Sequence, residues 1–234
     1  MKAGIIAAGL GERLCAAGIT TPKPLVAVGG RPLIARAIDA ARAAGASSVA
    51  CIINNETTEV RRFLDSHDFG IALEIVQRTT ASSAESFLAL RPMLEHAPFL
   101  LLTVDAVIAP SAVAGLVARG GSLPNATGVL GITATVDDEK PLWVEVDAAK
   151  RILAFGDAAR ARFVTAGVYF LQPVVYSIAD VVAPRPWKAL RVLLASLLEH
   201  GHALYGYDVG TAIDVDRPED IVAAERLLGV ADPT

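Results

Sequence analysis

Two glycines, an arginine and a lysine near the start of the chain have the types and the spacing to grip a polyanion. Gly9 and Gly11 flank Leu10, Arg13 follows closely, and Lys23 stands further on between Pro22 and Pro24. Without a Cβ, glycine lets backbone N–H groups come close to a phosphate. Arg13 and Lys23 add fixed cations. Prolines on both sides restrict the backbone around Lys23, so its ammonium is presented from a stiffened loop. Just before the glycines, Gly4 to Ala8 (GIIAA) is an apolar run of the length of a buried strand. The stretch predicts a strand that ends in a phosphate-handling turn. Two other glycine motifs fail on spacing. A dinucleotide fingerprint needs Gly or Ala where Leu14 stands, and a Walker loop needs Gly-Lys-Ser/Thr, which is absent from the chain.

The residues Ala7-Ala8-Gly9-Leu10-Gly11-Glu12-Arg13-Leu14, Pro22-Lys23-Pro24-Leu25 and Gly30-Arg31-Pro32-Leu33-Ile34 together resemble the nucleotidyltransferase superfamily that includes the sugar-1-phosphate nucleotidyltransferases. The resemblance implies a three-layer αβα, Rossmann-like fold. It implies that Ala8, Gly9, Gly11, Arg13 and Lys23 bind a nucleoside triphosphate. Arg13 would hold the β- and γ-phosphates, and Lys23 the α-phosphate or the acceptor phosphate, so these two are the catalytic candidates. Gln77 occupies the position where relatives read the base edge, and its amide can both donate and accept. As a strand-end residue it could equally face solvent.

In-line displacement at an α-phosphorus needs a metal across the phosphates, cations for the developing charge and a positioned acceptor. A phosphate monoester acceptor is already a nucleophile, so no general base is demanded. Mg²⁺ takes one or two carboxylates plus phosphate oxygens and water. Asp105, at the tip of a buried apolar strand, matches the family's metal aspartate, with Val104 where the family often has Gly. Ile213-Asp214-Val215-Asp216-Arg217-Pro218-Glu219-Asp220 resembles the family's late D-[IV]-x-T-P-E-D segment, with Arg217 in place of Thr. By that match Asp214 is the second metal ligand and Asp216 the cap of the helix that follows. On the acceptor side, Thr165-Ala166-Gly167-Val168-Tyr169-Phe170 resembles the strand that lines the acceptor pocket. The family's Glu-Lys-Pro is missing from Ile152 to Asp157, and Arg160, Arg162 or Lys188 could take over its lysine. The acceptor candidates are Glu145, Thr165, Gly167 and Lys188.

These residues must be positioned by a regular scaffold. Pro32 to Ala44 keeps helical spacing of apolar residues between Pro32 and Gly45. Strands are expected at Val49 to Ile53, Ala72 to Val76 (closing on Gln77) and Phe99 to Val104, the last apolar on both faces as in a central parallel strand. Helices are expected at Thr57 to Ser66, Ser83 to Leu94 and Pro110 to Ala118. Ser83 and Ser86 begin the second of these, and they could bind an anion or simply cap the helix. The alternation implies right-handed βαβ units, which bind ligands at the carboxyl ends of their strands. Gly9 to Arg13, Gln77 and Asp105 all fall at such ends. The second half reads as a mixed or antiparallel extension, with strands at Ala126 to Val136, Leu142 to Val146, Ile152 to Phe155, Phe163 to Leu171, Ala203 to Tyr207 and Ile213 to Val215. Helices follow at Pro186 to His200 and Asp216 to Leu228.

A chain of 234 residues fits one domain, with residues 1–120 as the nucleotide half and 121–234 as the acceptor half. Gly120-Gly121 and Asp137 to Lys140 mark joints. A net charge of −4 without a Lys/Arg cluster argues against a nucleic-acid polymer as partner. The two cysteines, Cys15 and Cys51, form no disulfide framework, which points to a reducing cytoplasm. The opening Met1-Lys2 and apolar run is broken by glycines before any signal-peptide pattern is complete. The longest apolar segment carries Asp105 and Pro110, so no membrane span is expected. The expectation is a Mg²⁺-dependent transferase of a nucleoside monophosphate onto a phosphorylated small molecule, foremost a sugar 1-phosphate, with homo-oligomerisation left open. Phosphocholine- or molybdopterin-type acceptors are rivals within that class. A catalytically silent nucleotide-binding subunit is the alternative of another class.

Overall fold

A computed structural model describes residues 1–135, 141–156, 158–181 and 189–230. From the N-terminus, β1 (Lys2–Ala7) leads through the glycine turn into a short helix α1 (Glu12–Ala16). A 3₁₀ turn at Lys23–Leu25 and a small hairpin, β2 (Ala27–Val28) and β3 (Arg31–Pro32), precede α2 (Leu33–Ala43). Next come β4 (Ser48–Ile53), α3 (Thr58–Ser66), β5 (Ala72–Gln77), α4 (Ser83–Ala89), α5 (Arg91–Leu94), β6 (Phe99–Thr103), β7 (Ala106–Ile108) and α6 (Pro110–Gly121). The second half contains β8 (Gly128–Thr133), β9 (Trp143–Val146), β10 (Ile152–Phe155), β11 (Phe163–Leu171), α7 (Val174–Val181), α8 (Leu190–Glu199), β12 (Leu204–Asp208), β13 (Ala212–Asp214) and α9 (Pro218–Leu227).

The main sheet runs β10-β9-β11-β6-β1-β4-β5, with β8 on β11 and β12 on β8. β6, β1, β4 and β5 are mutually parallel. β11 lies antiparallel to β6, and β8 antiparallel to β11. Alternate side chains of the parallel strands enter two separate cores, as the pleat requires. Ile5, Cys51 and Leu102 face one core with Leu33, Ile38 and Leu116 of α2 and α6. Ile6, Ile52 and Leu101 face the other, with Phe87, Tyr176 and Leu194 of α4, α7 and α8. Burial on both faces is why these strands read as continuous apolar runs. The expected αβα layering and the antiparallel extension are both present.

The structure differs from expectation in several places: Gly120-Gly121, expected as a joint, form the last turn of α6, and α1 and the β2–β3 hairpin were not expected. The helix expected over Ser83 to Leu94 is two helices, divided at Leu90. Pro92 has no N–H to donate to the Leu88 carbonyl, so the hydrogen-bond ladder of a single helix is interrupted there, and Pro92 sits instead in the first turn of α5. α7 was not expected, and the helix placed at Pro186 to His200 is described from Leu190 on. The joint at Asp137 to Lys140 lies outside the described residues. β7, which was not expected, pairs antiparallel with β13, so that Asp214 lies opposite Ala106. Finally, α9 starts at Pro218, and its cap is not Asp216. The carboxylate of Asp220 accepts from the backbone N–H of Asp216 at 2.9 Å and of Arg217 at 2.7 Å.

Candidate active site

β1 delivers its glycine turn to the carboxyl edge of the sheet. Gly11 has φ +67°, and a Cβ built there would lie 2.8 Å from Lys23 Cβ. The position therefore needs glycine twice, for the left-handed backbone and for the close approach of the lysine. Lys23 opens the 3₁₀ turn and is 6% exposed. Its ammonium is carried back under the turn toward the ends of β6 and β13.

There the chain closes a long-range arrangement. Val215 N–H donates to the Asp105 carbonyl at 3.1 Å, continuing the β7–β13 pairing. This hydrogen bond brings the two acidic segments side by side. Oxygens of Asp105, Asp214 and Asp216 lie within 4.8 Å of one another. Lys23 Nζ donates to Asp105 Oδ2 at 2.6 Å and to Asp216 Oδ1 at 2.5 Å, while Arg13 Nη1 donates to Asp216 Oδ2.

The electrostatics follow from this packing. Burial would lower the Lys23 pKa, but Asp105, Asp214 and Asp216 outweigh it and hold the lysine above its ordinary value. Burial would raise the carboxyl of Asp105, and the Lys23 ammonium reverses this, holding it below the usual range. Three carboxylates thus face two cations. The donor set is all hard oxygen, which suits a small divalent cation rather than a thiophilic one.

A cleft of about 490 Å³ opens in front of these groups, within the range of small-ligand sites. Ala8, Gly9, Gly11, Arg13, Lys23, Asp105 and Asp216 line one side of it. Thr79, Thr80, Ala81, Ser82, Ser83 and Ser86 line the other. Ser82 Oγ accepts from Glu85 N–H as the N-cap of α4, and Ser83 Oγ accepts from Leu190 N–H. Thr80 and Ser86 hydroxyls bond each other at 2.6 Å. Gln77 stands exposed at the end of β5 and is not one of the residues lining the cleft.

Asp214 faces a neighbouring narrow cavity of about 50 Å³, together with Thr103, Thr165 and Gly167. Gly167 has φ +71°, and a Cβ there would stand 2.5 Å from Thr103 Oγ1. It sits where the β11–β8 register shifts, between Thr165 and Tyr169. The kink re-aims the strand toward the acidic cluster, a common use of bulges near sites. Glu145 lies in β9, half-buried, away from both cavities. Lys188 lies outside the described residues.

The sequence places Asp216 at the helix cap rather than in the site, and it does not single out Asn54. Asn54 is buried, donates to Ala8 O at 3.1 Å, and accepts from Glu56 N–H and Thr79 Oγ1, both at 3.0 Å. It ties the glycine turn to the hydroxyl-rich wall. Its one sequence signal is its place immediately after a buried strand, on the carboxyl edge.

Comparison with known proteins matches residues 3–175 to the family described as the MobA-like NTP transferase domain. The chain is 25% identical over 245 residues to a mannose-1-phosphate guanyltransferase of Candida albicans, covering 97% of this chain and 64% of that protein. It is 26% identical over 242 residues to the Schizosaccharomyces pombe protein of the same name, with the same coverage. The chain thus spans about 64% of the length of the curated relatives it matches. Among solved structures, the fold is similar to an inositol-1-phosphate CTP transferase from T. maritima, with a TM-score of 0.84, 22% identity, and coverage of 98% of this chain and 95% of that one. It is also similar to a UDP-glucose pyrophosphorylase complexed with UDP-glucose, with a TM-score of 0.81, 16% identity, and coverage of 98% and 99%.

Proposed function

This chain belongs to the family of MobA-like NTP transferase domains, and from that premise we propose that it transfers a nucleoside monophosphate from a triphosphate to a sugar 1-phosphate, releasing pyrophosphate. The observation that carries this reading is the meeting of Asp105, Asp214 and Asp216 with Lys23 and Arg13, with all but Asp214 lining one cleft. Identity with the mannose-1-phosphate guanyltransferases runs along 97% of the chain, which supports a sugar 1-phosphate. A molybdopterin-type acceptor, within the same class of reaction, is the second reading.

In this reading the phosphates lie along the glycine turn, with the backbone at Ala8, Gly9 and Gly11 against them. Arg13 neutralises the β- and γ-phosphates and Lys23 the α-phosphate, where charge develops as the bond breaks. The base lies against the Thr79–Ser83 wall, with Gln77 at its border reading the edge. Asp105 and Asp214, joined by Asp216, would hold a divalent ion, Mg²⁺ by the hardness of the ligand set. When bound, the ion supplies charge neutralisation across the phosphate oxygens. Residues 1–120 form the nucleotide half and 121–234 the acceptor half. Thr165 and Gly167 line the acceptor side. An acceptor phosphate oxygen attacks the α-phosphorus. The P–O bond to the β-phosphate breaks, and pyrophosphate leaves with the electron pair, so no proton transfer is required.

A pyrophosphate-release assay over the four nucleoside triphosphates and a panel of sugar 1-phosphates together with molybdopterin tests this. Turnover confined to one sugar phosphate supports the reading. Turnover only on molybdopterin supports the second, and nucleotide binding without turnover on any acceptor would overturn both in favour of a silent nucleotide-binding subunit.

A further inference from the structure

The acidic cluster already holds a cation of its own. Lys23 Nζ lies 2.6 Å from Asp105 Oδ2 and 2.5 Å from Asp216 Oδ1. Those oxygens belong to two of the three carboxylates that lie within 4.8 Å of one another. At such distances the ammonium uses up lone pairs that a divalent ion would need, and it adds a repulsive charge within the ion's coordination shell. The lysine is held there from both ends. Its Cβ packs under Gly11, and Pro22 and Pro24 limit the movement of its backbone.

We propose that Lys23 is the internal stand-in for the divalent ion, so that ion and ammonium compete for Asp105 and Asp216. The proposal rests on the transferase reading for why an ion should bind. It goes beyond that reading in setting the order of events. With Lys23 in place, the cluster binds a divalent ion weakly. A triphosphate that draws the ammonium onto its own oxygens exposes the carboxylates, and the same polyanion then needs the ion for charge balance. Ion and nucleotide therefore bind as a coupled pair, and the chain is protected from filling its site with metal alone. Arg13, on the other oxygen of Asp216, makes the same exchange less completely because its side chain is 40% exposed against 6% for Lys23.

The test is Mn²⁺ binding to the full chain without nucleotide, followed by electron paramagnetic resonance, in wild type, Lys23→Met and Lys23→Arg. Lys23→Met is expected to tighten Mn²⁺ binding by between about 5- and 150-fold, the usual span of coupling between two ligands. Lys23→Arg should stay near wild type, and Asp105→Asn added to Lys23→Met should abolish the gain. If Lys23→Met proves unstable without metal, the rise in Tm on adding Mn²⁺ gives the same answer and should exceed that of wild type. Equal Mn²⁺ affinity and equal Tm response in wild type and Lys23→Met would overturn the proposal. The outcome is separable from that of the transferase reading, because no acceptor or turnover enters. An enzyme active on sugar phosphates with unchanged Mn²⁺ binding overturns only the competition. A protein with no turnover but tighter Mn²⁺ binding overturns only the transferase reading.

Discussion

Asp220 accepts a 2.9 Å hydrogen bond from the backbone of Asp216, and this separates two carboxylates that look interchangeable in the chain. Asp220, buried, takes over the start of α9. Asp216, relieved of capping, turns to Lys23 and Arg13. Substitutions at the two positions should therefore have different effects. Asp220→Ala should lower stability by about 1–2 kcal/mol, the cost of a lost cap, seen as a lower urea midpoint. Asp216→Asn should leave the midpoint near wild type and lower kcat/KM.

Lys23→Ala should reduce kcat/KM by roughly 10²–10³-fold, the usual loss for a preorganised charge at a reacting centre, with an unchanged far-UV circular dichroism spectrum. Near-normal turnover would remove Lys23 from the chemistry.

The two glycines of the phosphate turn make a controlled pair. Gly11→Ala combines an unfavourable φ with a 2.8 Å approach to Lys23 Cβ, and should lower both Tm and kcat/KM. Gly9 has nothing within 4 Å of a built Cβ and lines the cleft. Gly9→Ala should keep Tm and raise KM for the nucleotide, because the methyl stands where phosphate is expected. Steady-state kinetics with thermal melts separates the two outcomes.

Thiol chemistry tests burial and the alkaline limb of stability together. Cys15 is exposed, whereas Cys51 is buried and its thiol is pushed up to about 12. Near pH 8 a disulfide reagent should titrate Cys15 at once and Cys51 only on unfolding. The folded state keeps the Cys51 proton that the unfolded chain releases above about 8.5. Its contribution to stability is therefore complete below that pH and declines as the pH rises toward 12. Cys51→Ala should flatten this part of a Tm–pH curve.

Much of this molecule can be read along the chain. The glycine turn, Arg13, the proline-bracketed Lys23 and Asp105 are local signals, because each depends on residue type and on position at a strand end. The αβα layering is legible for the same reason. Strands buried on both faces must be apolar throughout, and the helices between them keep a 3.6-residue period. Pairing between distant segments is less legible. β7 has three residues and shows no periodicity. It exists because β13 pairs with it, and that pairing brings Asp214 opposite Ala106. Of the hydroxyl wall the sequence points only to Ser83 and Ser86, and to Asn54 not at all, because Ser, Thr and Asn serve equally as caps, turn residues and ligands.

The chain's sequence by itself determined the kind of chemistry, namely cations and carboxylates at the carboxyl edge of a parallel sheet, because strand and turn formation are decided within a few residues. Only the tertiary structure decided that Asp216 joins Asp105 and Asp214 at the site. Asp216 is placed by a carboxylate four residues away and by a backbone bond from Val215 to Asp105. No local pattern records contacts across such a separation.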